Sequence, residues 1–352
     1  MIRIPVKASV SYDVIIGSGV INEAGRLVKE LGGAEKIMLV SDDTVYRLYG
    51  KRVRKLLSGA GFTVETFVFK HGESSKNIRT YGRLLEKALS KDLSRSDIFA
   101  ALGGGVTGDL TGFAAATYKR GVRFVQFPTT LLSAVDASVG GKTAIDLRGG
   151  KNQAGAFHQP SLVLCDTDML DTLPDDEYKS GMAEAVKSAM LCDPELFKKL
   201  ERAELRDDPE TLIASCVNIK RRFVAEDEFD RGSRMLLNFG HTFGHAIEAA
   251  SGYTVLHGFA VAAGMAVMAR SACNRGYCSD EVPARLERTL EKFGLPSGTD
   301  HTTEELLPFV AGDKKAQGGS ISLVVPAEIG KCVIEKADFS AIEEWMLDGG
   351  IR

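Results

Sequence analysis

Through the first half of the chain, short runs rich in β-branched and other apolar residues alternate with amphipathic segments bearing Lys and Arg. The order is "YDVIIG", "NEAGRLVKELGG", "KIMLVSD", "TVYRLYGKRVRKLLSGAG", "FTVETFVFK", "NIRTYGRLLEKALSKDL", "DIFAALGGG", "DLTGFAAATYKRG" and "RFVQFPT". Strands that take turns with helical segments predict a parallel sheet with helices on its faces, an α/β architecture of the kind that binds nucleotides. From about residue 173 the strand signals nearly vanish. Long helical patterns such as "EYKSGMAEAVKSAML" and "PETLIASCVNIKRRFVAEDEF" replace them. The pattern therefore predicts an α/β domain over residues 1–172 and a mainly α-helical domain over residues 173–352, parted where Pro174 follows "CDTDMLDTL". Only "SISLVVPAEIGKCVIEKA" near the end reads as extended, a small hairpin turning at Ala327 to Gly330.

Length agrees with two domains, since 352 residues exceed what one core usually supports. Charged residues at 26% and hydrophobic ones at 44% describe a globular chain without disordered tracts. A formal net charge of -3 provides no whole-chain field for nucleic acid or anionic membrane, so neither is expected as a partner and any anion must be bound locally. The N-terminal "MIRIPVKASVSYDVIIGSG" lacks the apolar stretch of a secretory signal, and no apolar run is long enough to span a bilayer. The expected location is cytoplasmic. Six cysteines without a CxxC pair argue against a disulfide framework or a thiolate zinc site and read as reduced packing residues. Cys273 and Cys278 are a weak ligand pair at most.

The first candidate chemistry is a glycine loop. "DIFAALGGGVTGDLTGF" places Gly103, Gly105 and Gly108 in GxGxxG spacing directly after an apolar strand and at the opening of a helix. Glycines there let backbone N–H groups approach a pyrophosphate at the helix N-terminus, although a tight turn without ligand has the same spacing. No acidic residue stands about 20 positions downstream, where one usually grips the ribose. Asp42, at the end of the strand "KIMLVSD", is a substitute, with a plain helix N-cap as the competing reading. Thr129 and Thr130 lie at another strand end, where capping is again the alternative.

The second is a set of histidines in "LNFGHTFGHAIEAASGYTVLHGFAVAAGM". Arg234, Asn238, His241, His245 and Glu248 are spaced by four, three, four and three, and share one face if helical throughout. The cap-favouring Asn238 and Gly240 point instead to a helix starting near there, with Arg234 in the preceding loop. A histidine pair at i and i+4, joined by His257, favours a metal site for zinc or another divalent first-row ion. Glu184 in "SGMAEAVKSAM" is a candidate carboxylate ligand, with Lys187 one turn away and a solvated ion pair as the alternative. Spacing does not choose between His241 and His245 as ligand.

The third is a series of cations beside glycine: Lys142, Lys151 and Asn152 in "ASVGGKTAIDLRGGKNQAG", and Lys314 and Lys315 in "AGDKKAQGG". Singly, loop lysines say little. With Arg120, Lys187, Lys220 and Arg234 in a net-negative chain they suggest a positive pocket for a small anion.

Taken together, "GGGVTGDLTGFAAATYKRG", "FPTTLLSAVDASVGGKTAID", "GKNQAGAFHQP", "SGMAEAVK", "LLNFGHTFGHAIE", "LHGFAVAAGM" and "IGKC" resemble the 3-dehydroquinate synthase family from about Gly72 to Cys332. The resemblance implies a Rossmann-like NAD-binding domain followed by a metal- and substrate-binding domain. It implies zinc, or cobalt, on Glu184, His241 and His257, with His245 turned to the substrate. It implies NAD bound by Asp42, by His71, Gly72, Glu73, Ser74, Ser75 and Lys76, by Gly105, Val106, Thr107, Gly108 and Asp109, by Thr129, Thr130, Lys142 and Lys151, and by Met169, Leu170, Asp171 and Thr172. By composition alone, "HGESSK" reads as a polar turn. The substrate residues implied are Asp136, Lys142, Asn152, Lys187, Lys220, Arg234, Asn238, His245 and Lys314 or Lys315, with Arg120 reaching a phosphate, in a homodimer from the second copy. One departure is Asp230 in "EDEFDRGSR", where the family more often has Glu.

The activity implied is cyclisation of 3-deoxy-D-arabino-heptulosonate 7-phosphate, an anionic sugar phosphate, to 3-dehydroquinate with release of phosphate. A metal-dependent NAD polyol dehydrogenase, a related sugar phosphate cyclase and a noncatalytic scaffold are the alternatives. The full basic set favours the synthase over the first and the last, and Arg234, Asn238 and His245 favour it over the other cyclases by resemblance.

Overall fold

Five of the apolar runs and two further strands, β1 and β9, form one sheet in the order β1-β2-β9-β6-β5-β3-β4. The strands are β1 (Ile2–Val6), β2 (Tyr12–Gly17), β3 (Lys36–Asp42), β4 (Thr63–Phe69), β5 (Ile98–Gly103), β6 (Arg123–Pro128) and β9 (Leu162–Asp166). Only the β1/β2 pair is antiparallel, and the rest run parallel. A separate hairpin is made by β7 (Lys142–Leu147) and β8 (Gly150–Phe157). The computed structural model describes residues 1–205, 207–312 and 319–352. Lys314 and Lys315 lie outside them.

Strand side chains alternate between two cores, as a doubly covered sheet requires. Ile37, Leu39, Ile98, Ala100, Val125 and Phe127 pack with Leu27 and Val28 of α1 (Ala24–Glu30) and Val53 and Leu57 of α3 (Lys51–Gly59). Met38, Val40, Phe99 and Phe124 face the other way, onto Leu84 and Ala88 of α4 (Ile78–Ser90) and Leu110 and Ala114 of α5 (Gly105–Thr117). A single turn, α2 (Asp43–Val45), follows β3. The amino ends of β3 and β5 are tied by buried Asp97, whose carboxylate accepts from the amides of Glu35 (3.1 Å), Lys36 (2.8 Å) and Ser94 (2.6 Å). These bonds outweigh burial and hold its carboxyl below the usual range.

The rest of the described chain is helical apart from one hairpin. Its helices are α6 (Asp175–Cys192), α7 (Pro194–Glu201), α8 (Pro209–Glu226), α9 (His241–Ala250), α10 (His257–Asn274), α11 (Glu281–Lys292), α12 (Thr303–Gly312) and α13 (Ile342–Asp348). The hairpin pairs β10 (Ser320–Glu328) with β11 (Lys331–Asp338), closing at Ile329 and Gly330 as the turn signals predict. Small residues let α10 sit against its neighbours at backbone distance. A Cβ on Gly258 would lie 2.1 Å from the Ser180 carbonyl oxygen of α6, and one on Gly264 would lie 2.1 Å from the Gly240 carbonyl oxygen.

Two compact units result, residues 1–173 with 220–229 and residues 174–219 with 230–352. One helix, α8, thus contributes to both, which a single cut at 172/173 does not capture. Among the described residues no helix is long and apolar enough to cross a membrane.

Candidate active-site residues in the two units

In the sheet-bearing unit the candidates gather where an α/β sheet binds ligands, at the carboxyl ends of the strands. From β3 the chain passes to β4 on one side and then to β5 on the other, so the strand order switches beside Asp42 and the glycine loop. Asp42 ends β3, the loop His71 to Lys76 follows β4, Gly105 to Asp109 follow β5, Thr129 and Thr130 follow β6, and Met169 to Thr172 follow β9.

The glycines of the loop serve close approach. A Cβ on Gly108 would lie 2.6 Å from Gln126 Oε1 of β6, and one on Gly103 would lie 2.4 Å from Thr107 Oγ1. Asp42 is the N-cap its competing reading describes, accepting from the Thr44 and Val45 amides at 2.9 Å each, but both bonds go to Oδ1. Thr130 likewise caps, its hydroxyl accepting from the Ser133 amide at 3.1 Å. The Met169 side chain packs in the core, so this stretch offers a ligand its backbone and the exposed Asp171 and Thr172.

The "HGESSK" loop is more than a polar turn. Asp43 holds the His71 amide (2.9 Å) and Nδ1 (2.8 Å). Lys76 is buried, its ammonium 2.6 Å from Asp109 Oδ2 and donating to Asn152 Oδ1 at 2.6 Å. Burial alone would discharge it, but Asp109, Glu73 and Asp146 keep the ammonium above its usual range. One buried cation therefore joins the loop after β4, the first turn of α5 and the β7/β8 hairpin, and it fixes the Asn152 amide so that its NH2 points away from Lys76. Asn152 itself has a left-handed φ of 56° and its backbone N–H donates to Asp146 Oδ1 at 2.8 Å.

In the same unit the Lys220 ammonium donates to the Asp136 carbonyl at 2.8 Å and pairs with its carboxylate. Arg120 is exposed in a turn where Lys119 (φ 49°) and Arg120 (φ 66°) are both left-handed. The Arg95 guanidinium clasps the Lys119 carbonyl at 2.9 and 3.2 Å. Two successive non-glycine residues in that region cost energy, a pattern associated with functional turns.

In the helical unit the metal candidates converge. Glu184 is fully enclosed on α6, and one of its oxygens, Oε1, faces Nε2 of His257 (3.4 Å) and Nε2 of His241 (3.8 Å). The ligand atoms of Glu184, His241 and His257 all lie within 4.8 Å of one another. The pairing with Lys187 is not a solvated one: Lys187 is 2% exposed and its ammonium packs against Glu184 Oε2. Neither Glu184 oxygen accepts a hydrogen bond of normal geometry, and an enclosed carboxylate so placed suits a cation. The far nitrogen of each ring is engaged, His241 Nδ1 with the Phe239 carbonyl (3.2 Å) and His257 Nδ1 with Glu248 Oε2 (3.1 Å). Burial, Lys187 and the other two imidazoles push His241 well below its usual range. For His257 burial acts in the same sense, but the Glu184 and Glu248 carboxylates overcome it and raise the imidazole to about 10.

In a second grouping, His245, Glu248 and His257, the ligand atoms also lie within 4.8 Å of one another. Its Glu248 is already engaged by His257 Nδ1, and His245 is exposed, its ring 5.1 Å from that of His241. The donor set of Glu184, His241 and His257 is the better fit to a tetrahedral ion with one open position.

The helix bearing His241 and His245 starts at His241 with Gly240 at its N-cap, and His257 opens the next helix, α10. Gly240 has φ 78°, and a Cβ there would meet Met265 Cγ at 2.4 Å, so no other residue fits the turn. Arg234 and Asn238 fall in a preceding short 3-10 helix, Ser233–Asn238, and are not on the helix face; Arg234 is 1% exposed and Asn238 is open to solvent. Asp230 has a left-handed φ of 58°, a conformation that Asp tolerates better than the longer Glu.

A parallel sheet with loops at its carboxyl strand ends, in one chain with a Glu–His–His cluster on small-residue helices, is the make-up suited to a nucleotide- and metal-dependent enzyme. Residues 66–180 match the 3-dehydroquinate synthase N-terminal family and residues 181–316 the 3-dehydroquinate synthase C-terminal family. The chain is 42% identical over 342 residues to the 3-dehydroquinate synthase of Streptococcus thermophilus, covering 95% of this chain and 96% of that one. It belongs to the 3-dehydroquinate synthase family. Among solved structures it is similar to ValA, a 2-epi-5-epi-valiolone synthase from Streptomyces hygroscopicus with NAD+ and Zn2+ bound, at TM-score 0.88 and 29% identity over 99% of each chain. A 2-deoxy-scyllo-inosose synthase complexed with carbaglucose-6-phosphate, NAD+ and Co2+ shares the fold at TM-score 0.88 and 24% identity, over 98% of this chain and 99% of that one.

Proposed function

We propose that this chain converts 3-deoxy-D-arabino-heptulosonate 7-phosphate to 3-dehydroquinate and phosphate, through transient oxidation, phosphate elimination, re-reduction and aldol closure. The observation that carries the reading is the enclosed Glu184 carboxylate with two imidazole Nε2 atoms turned to one oxygen, in a chain of this family. Bound NAD supplies reversible hydride chemistry and a divalent zinc or cobalt ion supplies a Lewis acid.

Glu184, His241 and His257 hold the ion. The strand-end loops from Asp42 to Thr172 hold NAD, the α5 N-terminus presenting its free amides to the pyrophosphate. Asp42 uses Oδ1 as a cap and offers Oδ2 to a ribose hydroxyl. Lys142, Asn152, Lys187, Lys220, Arg234, Asn238 and one lysine of the Lys314/Lys315 pair retain the substrate's carboxylate, hydroxyls and phosphate, with Asp136 orienting Lys220. Exposed His245, not needed as a ligand, carries protons to and from the reacting oxygens. Arg120 reaches the phosphate from an exposed, clasped turn, as a homodimer would allow.

The test is a paired assay on purified protein with the heptulosonate phosphate, NAD and Zn2+. One phosphate should be released per product while absorbance of reduced nicotinamide stays flat. Stoichiometric NADH accumulation without phosphate release would instead assign a polyol dehydrogenase.

A further inference from the structure

We infer that Glu248 is a positioning residue that fixes the tautomer and orientation of His257 for metal binding, an inference that rests on the metal reading of Glu184, His241 and His257. Glu248 lies two turns beyond His241 on α9 and is 2% exposed. Its carboxylate meets His257 across the turn between α9 and α10, at Nδ1, 3.1 Å away. The other ring nitrogen, Nε2, faces Glu184 at 3.4 Å.

An imidazole binds a metal through a lone pair, so ligation by Nε2 needs the neutral ring's proton on Nδ1. A carboxylate can only accept from that proton. When an ion takes the place of the proton on Nε2, Glu248 holds the one on Nδ1; it thereby selects the tautomer of His257 that presents Nε2 to an ion beside Glu184, and it stops the ring from rotating. His241 shows the same device with a different acceptor: its Nδ1 faces the Phe239 carbonyl at 3.2 Å, and its Nε2 faces the same Glu184 oxygen. Two histidines, each pinned at Nδ1 and turned at Nε2 to one oxygen, are an arrangement that packing alone does not require. Such outer partners are worth 10- to 100-fold in metal affinity.

Zn2+ affinity is measured on metal-free protein by competition with a chromophoric chelator, and the Co2+ form is followed by its visible spectrum. Glu248→Ala should still bind one ion at saturation, about 10- to 100-fold more weakly and with a shifted cobalt spectrum. Glu248→Gln keeps an acceptor oxygen and the side-chain shape, so it should lose less affinity, retain the wild-type spectrum and remain folded if the alanine variant does not. Wild-type affinity and spectrum in both variants would overturn the inference, because a purely structural role lowers the melting temperature and leaves the ion's environment alone. Complete loss of the ion from both would also overturn it, making Glu248 a ligand. Glu184→Gln and His241→Ala are the controls: if they keep the ion, the metal assignment fails, and this inference falls with it for a separately visible reason.

Discussion

Replacing Gly258 by Ala should damage the metal centre without touching a ligand. Gly258 is the second residue of α10, directly after His257, and its added Cβ would lie 2.1 Å from the Ser180 carbonyl oxygen and 2.5 Å from the Ser180 Cα. Both obstacles are backbone, so neither can swing aside. Ordinary contact begins near 3.4 Å, which obliges the first turn of α10 to retreat from α6 by ~1 Å or more. That retreat also stretches the 3.0 Å bond from the Gly258 amide to Ser180 Oγ. Glu184 stands one turn beyond Ser180, and its present 3.4 Å separation from His257 Nε2 is what two ligand atoms at about 2.1 Å from one tetrahedral ion require. Adding ~1 Å breaks that match, since usable ligand distances tolerate about 0.2 Å.

The expected loss is about 1–3 kcal/mol of stability and about 100-fold in turnover, with weakened Zn2+ retention. Thermal unfolding of the metal-free protein, chelator competition and the phosphate-release assay read these separately. Gly82→Ala is the internal contrast: it is mid-helix in α4 with nothing within 4 Å of a Cβ, so it should stabilise by about 0.4–1 kcal/mol. Wild-type melting and Zn2+ affinity in Gly258→Ala would refute the close-packing argument.

Three further outcomes are expected. His241→Ala should lose bound metal, whereas His245→Ala should keep it and lose about 10²- to 10⁴-fold in rate; equal metal loss in the two variants, measured by elemental analysis, would contradict the division of roles. Lys76→Met leaves the partly exposed Asp109 carboxylate without its ammonium and should cost about 1–3 kcal/mol in chemical unfolding, with part recovered in Lys76→Met/Asp109→Asn; full additivity of the two changes would show no coupling. Asp97→Asn should cost about 1–3 kcal/mol at neutral pH. Because the folded-state pKa of Asp97 is lowered, its stabilisation is present above the ordinary value of 3.8 and is lost as pH falls through the folded one, so wild type and variant should converge only in acid.

Local pattern was enough for the features that depend on near neighbours in sequence. Strand and helix periods, the glycine loop on a strand-to-helix turn, and the His241/His245 pair all lie within a few residues of the signal that marks them. Asp42 shows a limit of that reading: cap and cofactor residue looked like rival roles, and the cap engages only one of its two oxygens. What pattern could not supply was burial created by distant partners. Lys76 in "HGESSK" has the composition of a solvated loop and becomes a buried cation only because Asp109 and Asn152, 33 and 76 positions away, close over it. Asp97 gives no local sign of the three amides it gathers. The choice among His241, His245 and His257 likewise required knowing which Nε2 atoms turn to Glu184, a fact set by helix packing at Gly258 and Gly264. Asn238 and Gly240 together mark the helix start correctly, because the left-handed turn at Gly240 is itself a local signal and the helix begins at His241.

The division of α8 bears on how the chain is made. Lys220 to Phe229 belong with the sheet-bearing unit, where Lys220 binds Asp136, Arg221 donates to the Pro5 carbonyl at 3.0 Å, and Glu228 accepts from Ser9 (2.7 Å) and Gln159 (2.9 Å). A ribosome delivers all of residues 174–219 before it delivers these partners. Nascent domains generally fold as units, N-terminal first. Here the first unit must wait, with its β1/β2 edge and Asp136 turn unsecured, until a stretch of the second has already emerged. A fragment ending at Leu173 thus lacks part of its own unit, and any attempt to produce the sheet-bearing unit alone must carry residues 220–229 with it.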